Sequence, residues 1–207
     1  MEYKNSFIIT GFGPFYGVKN NPSATLVDRI KSDCKDVIAT YILDVSIESV
    51  MAIIQKISQL VKEKEKEMKE NERIIILHLG VDPTANQFWL EKGAKNLADF
   101  SCEDNNKNLP KNQPIDRSKK KHVMLRTNVN VERLRADLLN KSSNDYYISI
   151  SDFGGTFISN YIYYMSLWSC QSDVTTSLYV HVPPFNQIRQ IWQQQFVSNL
   201  LDSKKFF

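Results

Sequence analysis

Two continuous apolar runs, each stopped by a glycine, constrain this chain most: Phe7-Ile8-Ile9-Thr10 before Gly11, and Arg73-Ile74-Ile75-Ile76-Leu77-His78-Leu79 before Gly80. A strand with one face in water alternates apolar and polar residues. A strand apolar at nearly every position needs cover on both faces, as in parallel sheets packed between helices. The intervening segments supply those helices. Asn21-Pro22-Ser23 opens an amphipathic stretch through Ile30. From Ser46, Val50, Ile53, Ile54, Ile57, Leu60 and Val61 form one helical stripe that fades into the charged run Lys62 to Glu67. Val37 to Val45, Tyr146 to Ser151 and Leu178 to Val182 read as further strands; Val131, Leu134 and Leu138, then Thr156 to Trp168, then the chain beyond Pro184, read as helices. This alternation predicts an α/β fold with an open, mostly parallel sheet and helices on both faces.

In such sheets ligands bind beyond the carboxyl ends of the strands. Gly11 to Phe15, Gly80 to Thr84, Ser151 to Ser159 and His181 to Pro184 all follow strand ends, so four separated segments are expected to meet at one edge. The polar stretch from Cys102 to Met124 reads as a long loop or lid.

A length of 207 residues with 42% hydrophobic content supports one core, and a single domain over residues 1–207 is expected. Twenty-six basic and 23 acidic residues leave a net charge of +3, which creates no field suited to nucleic acid or membrane. Lys119-Lys120-Lys121 reads as a solvated loop. Phe7-Ile8-Ile9, after Met1-Glu2-Tyr3-Lys4, is too short for a signal segment, and no apolar run approaches the roughly eighteen residues of a membrane span. Cys34, Cys102 and Cys170 are odd in number and far apart, which fits reduced thiols. A cytoplasmic protein is expected; nothing in the sequence speaks to its oligomeric state.

His181 ends a strand just before Pro183 and Pro184, which places it at the ligand edge as either a catalytic group or a satisfied hydrogen-bonder. His78 reads as structural and His122 as a loop residue, and the three histidines lack metal-ligand spacing, so no metal is expected. Ser159 falls in the first turn of its helix, where free amides favour negative charge; by itself it reads simply as a small helical residue. Glu91 alternates with apolar neighbours and is a candidate to orient His181, or an ordinary surface carboxylate. Phe12 and Phe15 flank Gly13-Pro14 and offer flat walls for a small ring, or plug the end of the sheet. Gly11 and Gly13 begin a dinucleotide fingerprint, but the third glycine falls at Gly17, one residue late, and Pro14 blocks the helix start. No cofactor is expected.

Gly11-Phe12-Gly13-Pro14-Phe15, Asn21-Pro22-Ser23, Gln113-Pro114-Ile115-Asp116, Gly154-Gly155-Thr156-Phe157-Ile158-Ser159-Asn160 and Tyr179-Val180-His181-Val182-Pro183-Pro184 form an ordered set across almost the whole chain that resembles the pyroglutamyl peptidase I family. The resemblance implies a three-layer α/β/α sandwich with a twisted sheet, and removal of N-terminal pyroglutamate from peptides by a Cys, His and Glu triad. Its positions here are Ser159, His181 and Glu91. It further implies a pyrrolidone pocket walled by Phe12 and Phe15, with backbone groups near Gly80 and Val81 reading the lactam amide.

Three departures stand out. Ser159 occupies the position of the family's nucleophilic cysteine, Asp82-Pro83 replaces small residues of the pocket loop, and Ser101 falls where many bacterial members carry arginine. A hydroxyl at a helix N-terminus does not ionise as a thiol does, so activity is expected to be weakened or lost. The alternative is a silent homologue that binds pyroglutamyl ends without turnover. Serine here is either the natural residue or a Cys→Ser exchange. Cys170 cannot replace it, because eleven helical residues separate the two by roughly 16 Å.

Overall fold

The computed structural model describes residues 4–142, 146–203 and 207; Met1, Glu2 and Tyr3, on which part of the reading of the leader rests, lie outside them. The chain runs β1 (Lys4–Phe12), α1 (Pro22–Asp33), β2 (Val37–Leu43), α2 (Ile47–Glu65), β3 (Glu72–Val81), β4 (Phe88–Glu91), β5 (Gly93–Lys95), β6 (Met124–Arg126), α3 (Val131–Lys141), β7 (Ile148–Ser151), α4 (Ile158–Ser169), β8 (Thr175–Val182) and α5 (Gln190–Leu201). Six strands form one sheet in the order β2-β1-β3-β8-β4-β7, and β5 pairs with β6 separately. The first four strands are parallel, while β4 runs antiparallel to β8 and carries β7 parallel to itself. The α/β class and the mostly parallel sheet agree with the sequence reading.

The double cover implied by the apolar runs follows from the period of two. Phe7, Ile9, Ile75, Leu77, Leu178 and Val180 pack on one face with Leu26 and Val27 of α1, Leu134 and Leu138 of α3, and Phe196 and Leu200 of α5. Phe88 of β4 stacks on Phe196 there, with centroids 3.8 Å apart. The intervening Ile8, Ile74 and Ile76 pack on the other face with Ile57 and Val61 of α2. Tyr179 joins Val50, Ile54, Ile162 and Tyr163 on that second face, under α2 and α4. Each such aliphatic side chain withdrawn from water contributes roughly 1.5–3 kcal/mol.

Local signals set the helix starts. Asn21 caps α1 by accepting from the Ser23 amide (3.1 Å), with Pro22 as first helical residue. Ser46 caps α2 through the Ser49 amide. The last helix begins at Gln190, after a turn held by the Pro184 carbonyl, so Pro184 is followed by turn rather than helix.

One expectation requires correction. Ser151 does not end a strand pointing to the carboxyl edge, because β7 and β4 run against β8. Ser151 and Glu91 stand level with Tyr179, two residues short of His181, and the following loop returns toward the edge. The four segments still meet, by two different routes.

Candidate active site

The second face of the sheet carries a polar row. Thr10, His78, Tyr179, Glu91 and Ser151 are successive register partners across β1, β3, β8, β4 and β7. One step nearer the carboxyl edge, Gly80, His181 and Trp89 form the next row. Side chains of one row share a face, so pairing alone puts Glu91 beside His181.

His181 Nδ1 lies 2.8 Å from Glu91 Oε1, and both residues are buried. A carboxylate at Nδ1 fixes the ring and leaves Nε2 for a ligand. Tyr163 of α4 donates its hydroxyl to the Glu91 carbonyl (3.0 Å), anchoring β4 from above. Gly154 closes the arrangement. A Cβ at this position would collide with His181 Cε1, 2.8 Å from Nδ1 and 3.0 Å from Glu91 Oε1. The carbonyl of the same glycine accepts the Ser159 hydroxyl at 3.3 Å. One residue therefore binds Ser159 and leaves room for the other two members of the expected triad.

Ser159 is the second residue of α4, whose N-terminal residue Phe157 makes no side-chain cap bond. No side chain of the N-cap residue therefore occupies the first-turn amides at the head of the helix, where a developing anion is favoured. Asn160, next in sequence, fixes this helix end: it accepts the Lys95 amide at 2.8 Å and donates to the Lys95 and Leu97 carbonyls, both at 2.9 Å.

Two connected spaces lie in front of these groups. Glu91, His181, Ser159, Phe15 and Val81 line a cleft of about 520 Å³. Phe15, Val81 and Ser159 also line a narrow cavity of about 40 Å³, completed by Phe12, Phe157, Gly80 and Tyr179. All seven residues singled out in the sequence thus meet in one place. The Gly-Phe loop is held there by α1: the Phe12 amide donates to Ser23 Oγ (3.0 Å), and Asn21 Nδ2 to the Gly13 carbonyl (3.0 Å). Phe157 packs 6.4 Å from Phe15 and 4.8 Å from Phe100 by ring centroids, adding a third aromatic wall.

Asp82, Pro83 and Ser101 line the cleft too, so all three departures sit at the site. Asp82 turns its carboxylate back onto Thr84, accepting from its amide and hydroxyl at 2.9 and 2.8 Å. Among the described residues that line the cleft, none is a lysine or arginine. Lys95 comes near, with Nζ 4.0 Å from the centroid of the Phe153 ring in the cleft wall.

Sequence reasoning missed Tyr179, Phe157, Trp89 and Cys102. Tyr179 was accessible through its alternation with His181 on one strand, whereas Cys102 arrives from the long loop and carries no local signal. Tyr179 is buried, its ring centroid 4.7 Å from that of His181. Burial pushes its phenol well above the usual range, with Glu91 adding to the shift. Cys170 packs under the sheet with Ile8 and Ile57, away from the cleft. His78 is fully buried, pairs with Thr10 Oγ1 at 2.8 Å, and is driven down to about 3 by burial, so it is neutral and structural. No group of His, Cys, Asp and Glu among the described residues suits a metal ion, and no described helix is long and apolar enough to cross a membrane.

The family model for pyroglutamyl peptidase matches residues 5–197. The pyrrolidone-carboxylate peptidase of Saccharolobus islandicus (strain L.S.2.15 / Lassen #1) is 28% identical over 198 residues, spanning 95% of this chain and 88% of that protein. The crystal structure of pyrrolidone carboxyl peptidase from Fervidobacterium islandicum AW-1 is similar with a TM-score of 0.74 at 27% identity, over 99% of this chain and 100% of that one. Pyroglutamyl peptidase I of Bacillus amyloliquefaciens shares the fold at a TM-score of 0.76 and 18% identity, over 97% and 96% of the two chains.

Proposed function

Because this chain belongs to the pyroglutamyl peptidase family, we propose that it is a single-domain exopeptidase of that type, acting on peptides with an N-terminal pyroglutamate, with turnover held low by the oxygen nucleophile at Ser159. The pyrrolidone ring enters between Phe12 and Phe15, and the backbone at Gly80 and Val81 reads its lactam amide. Ser159 Oγ attacks the scissile carbonyl carbon as its proton passes to His181 Nε2. The first-turn amides of α4 hold the oxyanion. Collapse breaks the C–N bond, His181 returns the proton to the leaving amine, and water then hydrolyses the acyl-serine by the same route. Glu91 keeps His181 oriented throughout. The observation that carries this reading is the place of Gly154, whose carbonyl accepts the Ser159 hydroxyl and whose missing side chain leaves the room that the His181–Glu91 pair fills.

The second reading, a silent protein that binds pyroglutamyl ends, draws on one observation: the Ser159 hydroxyl is directed to the Gly154 carbonyl, not to His181. The two readings separate in one assay, hydrolysis of a fluorogenic pyroglutamyl amide by the chain as written and by Ser159→Cys. Weak turnover that His181→Ala abolishes, rising about 10²- to 10⁴-fold in Ser159→Cys, supports the peptidase. Turnover only after the exchange to cysteine selects the silent binder, and no turnover or binding in either protein overturns both. The free thiols Cys34, Cys102 and Cys170 are consistent with a reducing, cytoplasmic setting.

A further inference from the structure

Tyr179 has no part in the triad, yet it stands at its centre. Its hydroxyl sits directly over Gly80, where any Cβ would overlap it. Its ring packs 4.7 Å from His181, and it shares the narrow cavity with Ser159. The phenol is buried among Tyr163, His78 and Glu91, and stays protonated far above neutral pH. Ser159 gives its own proton to the Gly154 carbonyl, which leaves its lone pairs to accept. A buried hydroxyl loses stability unless a polar atom meets it. Oxygen at position 159 lines the same cavity as this one, and sulfur is a poorer acceptor.

We propose that Tyr179 is a positioning residue that fits this site to serine: its phenol O–H donates to Ser159 Oγ and supports the charge that grows there as His181 takes the serine proton. The inference rests on the peptidase reading above. It assigns the compensation for the missing thiolate to a hydroxyl across the pocket, and it distinguishes this chain's site from one built for a preformed thiolate.

A pyroglutamate-derived aldehyde tests it without requiring turnover. In the adduct, a bond forms between Ser159 Oγ and the aldehyde carbon, the carbonyl π bond breaks, and the serine proton passes through His181 to the new hydroxyl. Affinity for this aldehyde and for 2-pyrrolidone, which forms no adduct, would be measured by calorimetry for the native chain, Tyr179→Phe, Ser159→Cys and the double variant, with melting temperatures and amide hydrolysis alongside. We expect Tyr179→Phe to weaken aldehyde binding about 10- to 100-fold in the serine protein. Pyrrolidone affinity, KM and melting temperature should hold, and the same exchange should change aldehyde binding less than about threefold when residue 159 is cysteine. Equal weakening in both backgrounds would mean that the phenol acts through packing alone and would overturn the inference, as would undiminished binding by Tyr179→Phe. If no variant, Ser159→Cys included, binds either ligand, the peptidase reading itself fails and takes this inference with it.

Discussion

Gly154 is the residue at which the cleft geometry is decided. Any side chain there must displace the His181 ring or the Glu91 carboxylate, and a misplacement near 1 Å costs about 100-fold in rate. Gly154→Ala is therefore expected to lower kcat/KM of the Ser159→Cys protein by about that factor. The neighbouring Gly155 gives the contrast: it needs glycine for its φ of +83°, but a Cβ there meets nothing within 4 Å. Gly155→Ala should destabilise by about 1 kcal/mol through backbone strain while retaining most activity. Parallel rate and melting measurements check both, and comparable activity in the two variants would refute the assignment. At this scale the sequence was partly legible. Ser159 and His181 are visible because each follows a recognisable local signal, a helix start and a strand end before prolines. Glu91 is less so: its alternation with apolar neighbours allows a place in the cleft or on the surface, and it is buried because β4 pairs between β8 and β7.

Among the elements, the polar stretch after Cys102 was read as a loop or lid, and its order comes from side chains standing in for a hydrophobic core. Asp104 accepts from the amides of Ile47 (3.0 Å), Asn106 (2.9 Å) and Asn108 (2.8 Å), tying the loop to the head of α2. Burial pushes its carboxyl up, but the bonds from Asn108, Ile47 and Asn106 outweigh this and hold it below its ordinary value. Asn105 fastens the same turn to the Gly-Phe loop through the Pro14 carbonyl (3.0 Å) and to the end of β2 through Asp44 (2.5 Å). Farther along, Asn96 grips Asp116 through both its amide (2.8 Å) and its carbonyl (2.9 Å). Asp104→Ala is expected to cost about 2 kcal/mol and to speed tryptic cleavage at Lys107 and Lys111. An unchanged cleavage rate would show that the loop is held by something else. The element most easily missed, β4, is four residues long and lies beside turn residues, so length and pattern gave it no weight.

Over the whole molecule, the buried polar row couples global stability to pH. His78 has an ordinary value of 6.5 and is driven to about 3 by burial, so below pH 6.5 the unfolded chain takes up a proton that the native chain refuses. Stability from this group is complete above about pH 6.5 and is lost as pH falls toward 3, at up to about 1.4 kcal/mol per pH unit. Glu48 and Asp104, held low by their hydrogen bonds, act only below their ordinary values of 4.5 and 3.8. Urea midpoints between pH 7.5 and 5 should therefore fall in the native chain and stay nearly level in His78→Asn; equal slopes would dismiss the histidine as the cause. The sequence by itself determined the helices and the longer strands, their order and the two-sided burial of the central strands, because periodicity and capping act within one or two turns of chain. Only the tertiary structure decided that β4 and β7 reverse, that Glu91 is buried against His181, and that Tyr179 lines the same cavity as Ser159. Strand direction and register are fixed by pairing between distant segments, 90 residues apart for Glu91 and His181, and no local pattern carries that information.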